Sequence, residues 1–225
     1  VFFAAMSQEL FGVAKGAGEQ GFYGEKKPKS WRLSSLEFLS KAPICYGIVQ
    51  VGAYCEGGVP VVAIKNLGKG FGSELNRVSK DGEEKYSRSR IRQGDLLISV
   101  KGTVGKVDVV PEAFAGNISR DIVRIRRGEE VNPYFLKYFF MSTLGEKLVR
   151  KIAVGTTRAE LSVHTLRKTL VPVPSIKVQS DIAETLSLIE AQISEQLNKL
   201  KKLEDLKAAL MQDLLTGKVR VKVEA

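Results

Sequence analysis

The chain has 225 residues, 44% of them hydrophobic, and its 35 Lys/Arg outnumber 25 Asp/Glu for a formal charge of +10. That length suits one globular domain plus an appendage, and two cysteines (Cys45, Cys55) with one histidine (His164) make neither a disulfide framework nor a convincing zinc site. The apolar opening VFFAAM is too short for a signal or membrane segment, so a soluble cytoplasmic protein with no metal and no cofactor is expected.

Residues 12–30 (GVAKGAGEQGFYGEKKPKS) are rich in Gly and Lys and predict an extended connection. Within them GAGEQG is formally a dinucleotide fingerprint, which needs a strand before it and a helix after it. The next residues, FYGEKKPK, cannot start a helix, and the motif is discarded. From Trp31, WRLSSLEFL suits a short helix, and VPVVAIKNL at 59–67 predicts a strand ending in a turn. GDLLISVKGTVGKVDVV at 94–110 predicts two strands joined by a glycine-bearing turn. The KGTVGK in that turn lacks the earlier glycine of a phosphate loop, since Val100 stands there. DIVRIR alternates with period two, which predicts one buried face and Arg124 and Arg126, with Arg127 after them, turned to water. NPYFLKYFFMS opens with an Asn cap and Pro at the first helical position, predicting a short helix. Its aromatics Tyr134, Phe135, Tyr138, Phe139 and Phe140, with Trp31, have helical spacing and suit core or partner contact. VGTTRAELS predicts a loop, with His164 as a structural loop residue beyond it.

At LVPVPSIKVQSDIAETL the pattern changes. Pro172 and Pro174 remove backbone donors and hold the chain extended, so no helix runs through them. Ser175 can cap a helix that starts beyond them. Apolar residues then recur at Ile182, Leu186, Ile189, Ile193, Leu197, Leu200, Leu203, Leu206, Leu210 and Leu214. Steps of three and four averaging about 3.5 residues form a coiled-coil seam, and Gly217 suits the residue that ends the helix. Such a helix, from 178 to 215, would reach roughly 55 Å, longer than a small domain, so much of it should project and pair with another helix. The expected fold class is α+β: an N-terminal helix and linker over 1–30, a globular domain over 31–174, a long helix over 175–217 forming an antiparallel coiled coil, and a tail over 218–225.

Charge separates along the same boundary. From residue 177 onward eight Lys/Arg balance eight Asp/Glu, whereas residues 1–176 hold 27 against 17 and so the whole excess. A basic globular part beside a neutral helical strut is the footprint of a nucleic-acid reader with a separate assembly element. Phosphate contacts need Lys/Arg on loops, and base readout needs polar side chains on the same surface. The candidates are Tyr46 and Gln50 beside the YG turn, and Lys65, Asn66 and Lys69 after the VPVVAI strand. Arg88 and Arg90 come from the basic loop before GDLL. Lys101, Thr103 and Lys106 come from the glycine-bearing turn, and Asn117, Ser119 and Arg120 from the polar loop beyond.

In this order, the pieces YG (46–47), GGVPVVAIKNL (57–67), IRQGDLLISVKGTVGKVDVV (91–110), NPYFLKYFFMS (132–142), VGTTRAELS (154–162), LVPVPSIKVQSDIAETLSLIEAQI (170–193) and LLTGKVRV (214–221) resemble the specificity subunits of type I restriction–modification enzymes. Pro174, Gln179, Ile182 and Leu186 follow that family's helix start, and FFAAMSQELFG resembles the helix end that precedes a target recognition domain. Members commonly carry two recognition domains and two conserved helices, whereas here each landmark occurs once, as in a half-length subunit or a fragment of a longer one. The resemblance implies binding one half of a split double-stranded DNA target, docking of methyltransferase and restriction subunits, and no catalysis of its own. With one such helix, a homodimer is expected. Three alternatives remain: a recognition fragment of a fused restriction–methylation enzyme, a coiled-coil scaffold that binds no DNA, and an enzyme using a split carboxylate pair such as Glu83 and Asp95. For that pair, solvated charge is the plainer reading.

Overall fold

Hydrogen bonding between distant strands, more than local propensity, sets the architecture. The computed structural model describes residues 21–22, 25–26, 30–72, 75–155 and 159–219. The FFAAMSQELFG segment and residues 156–158 lie outside the described residues. Strands β1 (Gly21–Phe22) and β2 (Glu25–Lys26) pair antiparallel inside the expected connection. WRLSSLEFL is not one helix: β3 (Arg32–Ser35) precedes a single turn, α1 (Leu36–Leu39), where Ser35 accepts from the Phe38 N–H. Tertiary pairing overrides the local pattern there, because β3 is claimed by a late strand.

Next come β4 (Cys45–Tyr46) and β5 (Val59–Val62), the latter running into a 3₁₀ turn at Ile64–Asn66. β6 (Asn76–Val78) leads to α2 (Lys80–Glu84), capped by Ser79. β7 (Leu96–Ser99) and β8 (Val107–Val109) form the hairpin expected around the glycine turn. β9 (Asn117–Ile118) and β10 (Ile122–Ile125) come after it. Then α3 (Pro133–Met141) starts at its Asn132 cap with Pro133 in the first turn, and α4 (Thr143–Ile152) starts at Ser142. α5 (Val163–Lys168) carries His164, so this residue is helical rather than in a loop. β11 (Leu170–Val173) then pairs antiparallel with β3, and α6 spans Ile176–Leu215.

The larger sheet has the order β4–β10–β7–β8, and a second sheet runs β6–β5–β9, with β5 and β9 parallel. Val62, Leu67, Leu75, Ile91, Leu97, Val110, Ile118 and Ile122 form one buried cluster shared by the two sheets. Every residue of β7 and of β10 is buried. This corrects the reading of DIVRIR as a half-wet strand. β10 is central, between β4 and β7, and both of its faces are buried: Arg124 is 4% exposed and donates to the Pro43 carbonyl at 2.9 Å. Period-two alternation marks a strand with one wet face, and a strand covered on both faces need not show it. On α3, Phe135, Tyr138, Phe139 and Phe140 are buried while Tyr134 is exposed, and Trp31 meets Phe135 edge-on at 6.2 Å.

By internal contacts the chain divides into Val1–Ala183 and Glu184–Ala225. In the first unit, the start of α6 is pinned by Gln179, fully buried. Its amide donates to the Pro174 and Glu130 carbonyls and accepts from the Asn132 N–H. In the second, the seam leucines from 197 to 214 are all exposed, and the helix ends at Gly217 with φ +71°. Among the described residues, no helix is long and apolar enough to cross a membrane.

Candidate nucleic-acid interface

The glycine turn is built for close approach. Gly102 and Gly105 take φ of +65° and +86°, where a side chain is strained, and a Cβ on Gly105 would stand 2.9 Å from Val149. Ser99 closes the turn, its hydroxyl donating to the Thr103 carbonyl and accepting from the Lys106 N–H. Lys106 Nζ reaches the Ile64 carbonyl at 3.4 Å, which ties this turn to the 3₁₀ turn carrying Lys65. The Gly68 N–H donates to Asp108 at 2.8 Å, bringing the Lys69 segment to the same place. Ser119 N–H binds the Val62 carbonyl and Arg120 N–H the Ile48 carbonyl. Thus Lys65, Lys69, Thr103, Lys106 and Arg120 gather at one end of the sheets, and Gln50, two residues beyond Ile48, is exposed. Lys101 lies here too, but Glu160 pairs with it at 2.9 Å.

Three candidates point inward. Asn66 uses its side chain to close its own turn, accepting from the Ala63 N–H at 2.9 Å. Asn117 is not in a polar loop: it sits on β9 with 0% exposure. Its amide donates to Glu83 at 2.7 Å and to the Tyr86 carbonyl, and its oxygen accepts from Ser89 and from the Ile118 N–H. Ser119 is buried beside it in sequence, its hydroxyl without a hydrogen-bond partner. Parallel pairing of β9 with β5 draws these polar groups into the interior. Tyr46 is 37% exposed, and its hydroxyl accepts from the Val163 N–H at 3.4 Å.

Arg88 and Arg90 belong to a separate group. Arg90 grips Glu83 with two nitrogens at 2.7–3.0 Å and also meets Glu84. Glu83 is buried, not the solvated charge expected from its Lys-rich surroundings. The Arg90 hydrogen bond holds its carboxyl below the usual range, against the opposing effect of burial, and Asn117 adds to the lowering. The same contacts push the Arg90 guanidinium further up. Asp95, likewise buried, accepts from the Arg92 N–H at 3.0 Å and lies 3.0 Å from Arg126; burial raises its carboxyl. Each carboxylate therefore has its own arginine, and among the described residues no His/Cys/Asp/Glu cluster could hold a metal ion. The sequence candidates include neither Lys41 nor Arg92, and take Arg126 and Arg127 only as the wet face of a strand; all four surround Asp95 at a polar cavity. The signal was present in the paired repeats RSRIR and RIRR.

Comparison with known proteins places this geometry. The sequence model of the type I restriction modification DNA specificity domain matches residues 52–205. The chain is 27% identical over 179 residues to the Type I restriction enzyme EcoBI specificity subunit of Escherichia coli, covering 76% of this chain and 38% of that protein. It is 27% identical over 180 residues to the MjaVIII specificity subunit of Methanocaldococcus jannaschii, covering 75% and 42%. The chain thus spans about two fifths of the length of these curated relatives. The crystal structure of the HsdS subunit from Thermoanaerobacter tengcongensis shares the fold, with TM-score 0.59 at 20% identity over 94% of this chain and 49% of that one. A matched region that begins within the globular domain and continues into the long helix leaves one assignment: the chain belongs to the type I restriction–modification DNA specificity family.

Proposed function

We propose that the chain reads one half of a bipartite double-stranded DNA target for a type I restriction–modification assembly and carries no catalytic site of its own. The observation that supports this best is the family match over residues 52–205, taken with the +10 charge that residues 1–176 hold in full. The domain over 31–174 supplies DNA contacts, chiefly through the exposed Lys65, Lys69, Thr103 and Arg120 with the glycine turn beside them. The helix over 175–217 is the spacer and the surface for a second helix, and methyltransferase and restriction subunits dock on the same protein. Cutting and methylation then lie with those partners.

Two measurements test the proposal. Retention of duplex DNA must weaken steeply with salt, because phosphate contacts release counterions. A protein that acts as a scaffold alone would retain no DNA. Purified protein incubated with DNA, magnesium and a methyl donor should neither cut nor methylate, and activity in a clean preparation would overturn the reading. The geometry also selects the variants. Lys65→Glu with Lys69→Glu alters two exposed residues that make no ion pair among the described residues, whereas Lys101→Glu would also set like charge against Glu160. The Lys65/Lys69 pair should weaken binding and lower the salt slope by about 2.

A further inference from the structure

At the end of β7 opposite the glycine turn, a cavity of about 370 Å³ is lined by Lys41, Arg92, Asp95, Arg126, Arg127 and Glu129. Four cations there face two carboxylates. Of these Asp95 is buried, and the exposed Glu129 pairs with Lys41 at 3.2 Å. Arg92 and Arg127 have no ion pair among the described residues and are exposed. Behind them, Arg126 and the buried Arg124 converge on one acceptor, the Arg90 carbonyl, at 2.7 and 3.5 Å. Arg126 Nε stands 3.0 Å from Asp95, so Asp95 is matched by Arg126 and Glu129 by Lys41, and the positive charge lining the cavity exceeds its carboxylates by Arg92 and Arg127.

The group that two exposed guanidinium forks without carboxylates of their own match best is an oxyanion with several acceptor oxygens. We propose that this cavity seats a backbone phosphate of bound DNA, with Arg92 and Arg127 as the contacting side chains and Arg126, held by Asp95 and the Arg90 carbonyl, as the positioning one. The inference rests on the DNA-reading proposal and adds to it a second contact locus. The four residues of β7 separate the two loci by at least about 13 Å, so one duplex touching both engages more phosphates than the glycine-turn end alone reaches. A phosphate seat carries no base information.

The test is the full chain carrying Arg92→Gln with Arg127→Gln, compared with the unsubstituted chain by DNA retention across a salt series and by thermal melting. Both side chains are exposed, so the melting temperature should stay unchanged. The salt slope should fall by about 1, the loss of one phosphate contact, equally for target and non-target duplexes. An unchanged slope, with the unsubstituted chain binding DNA normally, overturns the phosphate seat and leaves the DNA-reading proposal standing. A loss confined to particular base sequences overturns it in favour of base contact. If inorganic phosphate raises the melting temperature of the unsubstituted chain and not of the variant while the slope is unchanged, the seat holds free phosphate and its DNA assignment falls. If the unsubstituted chain shows no salt-dependent DNA retention, the DNA-reading proposal itself falls and takes this inference with it.

Discussion

Asn117 directs its whole side chain inward, joining Glu83 on α2, Ser89 and the Tyr86 carbonyl to strand β9. Removing the amide takes one donor each from the Glu83 carboxylate and the Tyr86 carbonyl and the side-chain acceptor from the Ile118 N–H, in a buried site, at a cost of about 1–3 kcal/mol. Asn117→Ala should therefore lower the urea midpoint with an unchanged m-value, and the salt slope of DNA binding should not move. A lost slope with intact stability would restore Asn117 to the DNA face. The same cluster sets a pH dependence. Glu83 titrates below its ordinary value in the folded protein, so its stabilising contribution is present above the unfolded carboxylate pKa and lost as pH falls through the folded one. Asp95 is raised and acts oppositely, with protonation relieving its burial as pH falls. Glu83→Gln should accordingly flatten the loss of stability as pH falls below the ordinary carboxylate range, read from urea midpoints, and an acid limb as steep as in the unsubstituted chain would count against the ion pair. None of this was legible from spacing. A polar run such as GNISR reads as loop, and the buried partner that reverses the reading lies 34 residues away.

Elements were legible where local chemistry alone decides them. Asn132–Pro133 marks the start of α3, the paired glycines bend the β7–β8 turn, and Gly217 ends α6; each depends on dihedral preference or capping within a few residues. Elements decided by distant pairing were not, as with β3, which β11 claims; β10 was legible as a strand, but not the burial of both its faces. The start of α6 combines both kinds. Its prolines and Ser175 are visible in sequence, but Gln179 matters through its bonds to Pro174, Glu130 and Asn132. Gln179→Ala leaves two carbonyls and one N–H unpaired and should cost about 3 kcal/mol in chemical denaturation. Gln179→Glu keeps an acceptor for Asn132 but turns a carboxylate toward the two carbonyls. It should be at least as damaging at neutral pH and partly recover in acid. Equal stability of all three proteins would mean that the helix start is held by its apolar residues alone. Gly47 is a sharper case: a Cβ there would lie 1.8 Å from the Ile118 carbonyl oxygen, which accepts from the Ile48 N–H at 2.7 Å. The glycine of the YG pair is thus fixed by close backbone approach between β4 and β9.

At the scale of the molecule, the positive excess lies before residue 177 and the helix beyond is neutral. The 40 residues of α6 extend about 60 Å, and the exposed leucines between 197 and 214 form an apolar seam that water does not favour. Leu203→Asp with Leu210→Asp places charge on that exposed seam. Light scattering should show loss of self-association with the domain still folded, and an unchanged mass would deny the seam this role. Pairing of two copies through this seam would dictate the target geometry. Two such copies, each with one recognition domain and one helix, would together make a two-domain reader. Antiparallel pairing of identical helices is a two-fold interface in which each chain offers the same seam. Eight positive and eight negative charges from residue 177 onward bring no net repulsion to it. Two-fold protein symmetry is mirrored in DNA as two inverted half-sites, so the target of such a dimer is an interrupted palindrome whose gap is set by helix length. One heptad inserted near Asn198 lengthens each helix by about 10.5 Å, equivalent to about three base pairs at 3.4 Å each. Selection of bound sequences from a random DNA pool, run with the methyltransferase partner, should then return the same half-site bases at a wider gap. The shift should be close to that figure if the register of the seam is kept across the insertion. Two unrelated half-sites, or one uninterrupted site, would refute the symmetric dimer and assign the chain to one half of a two-domain reader.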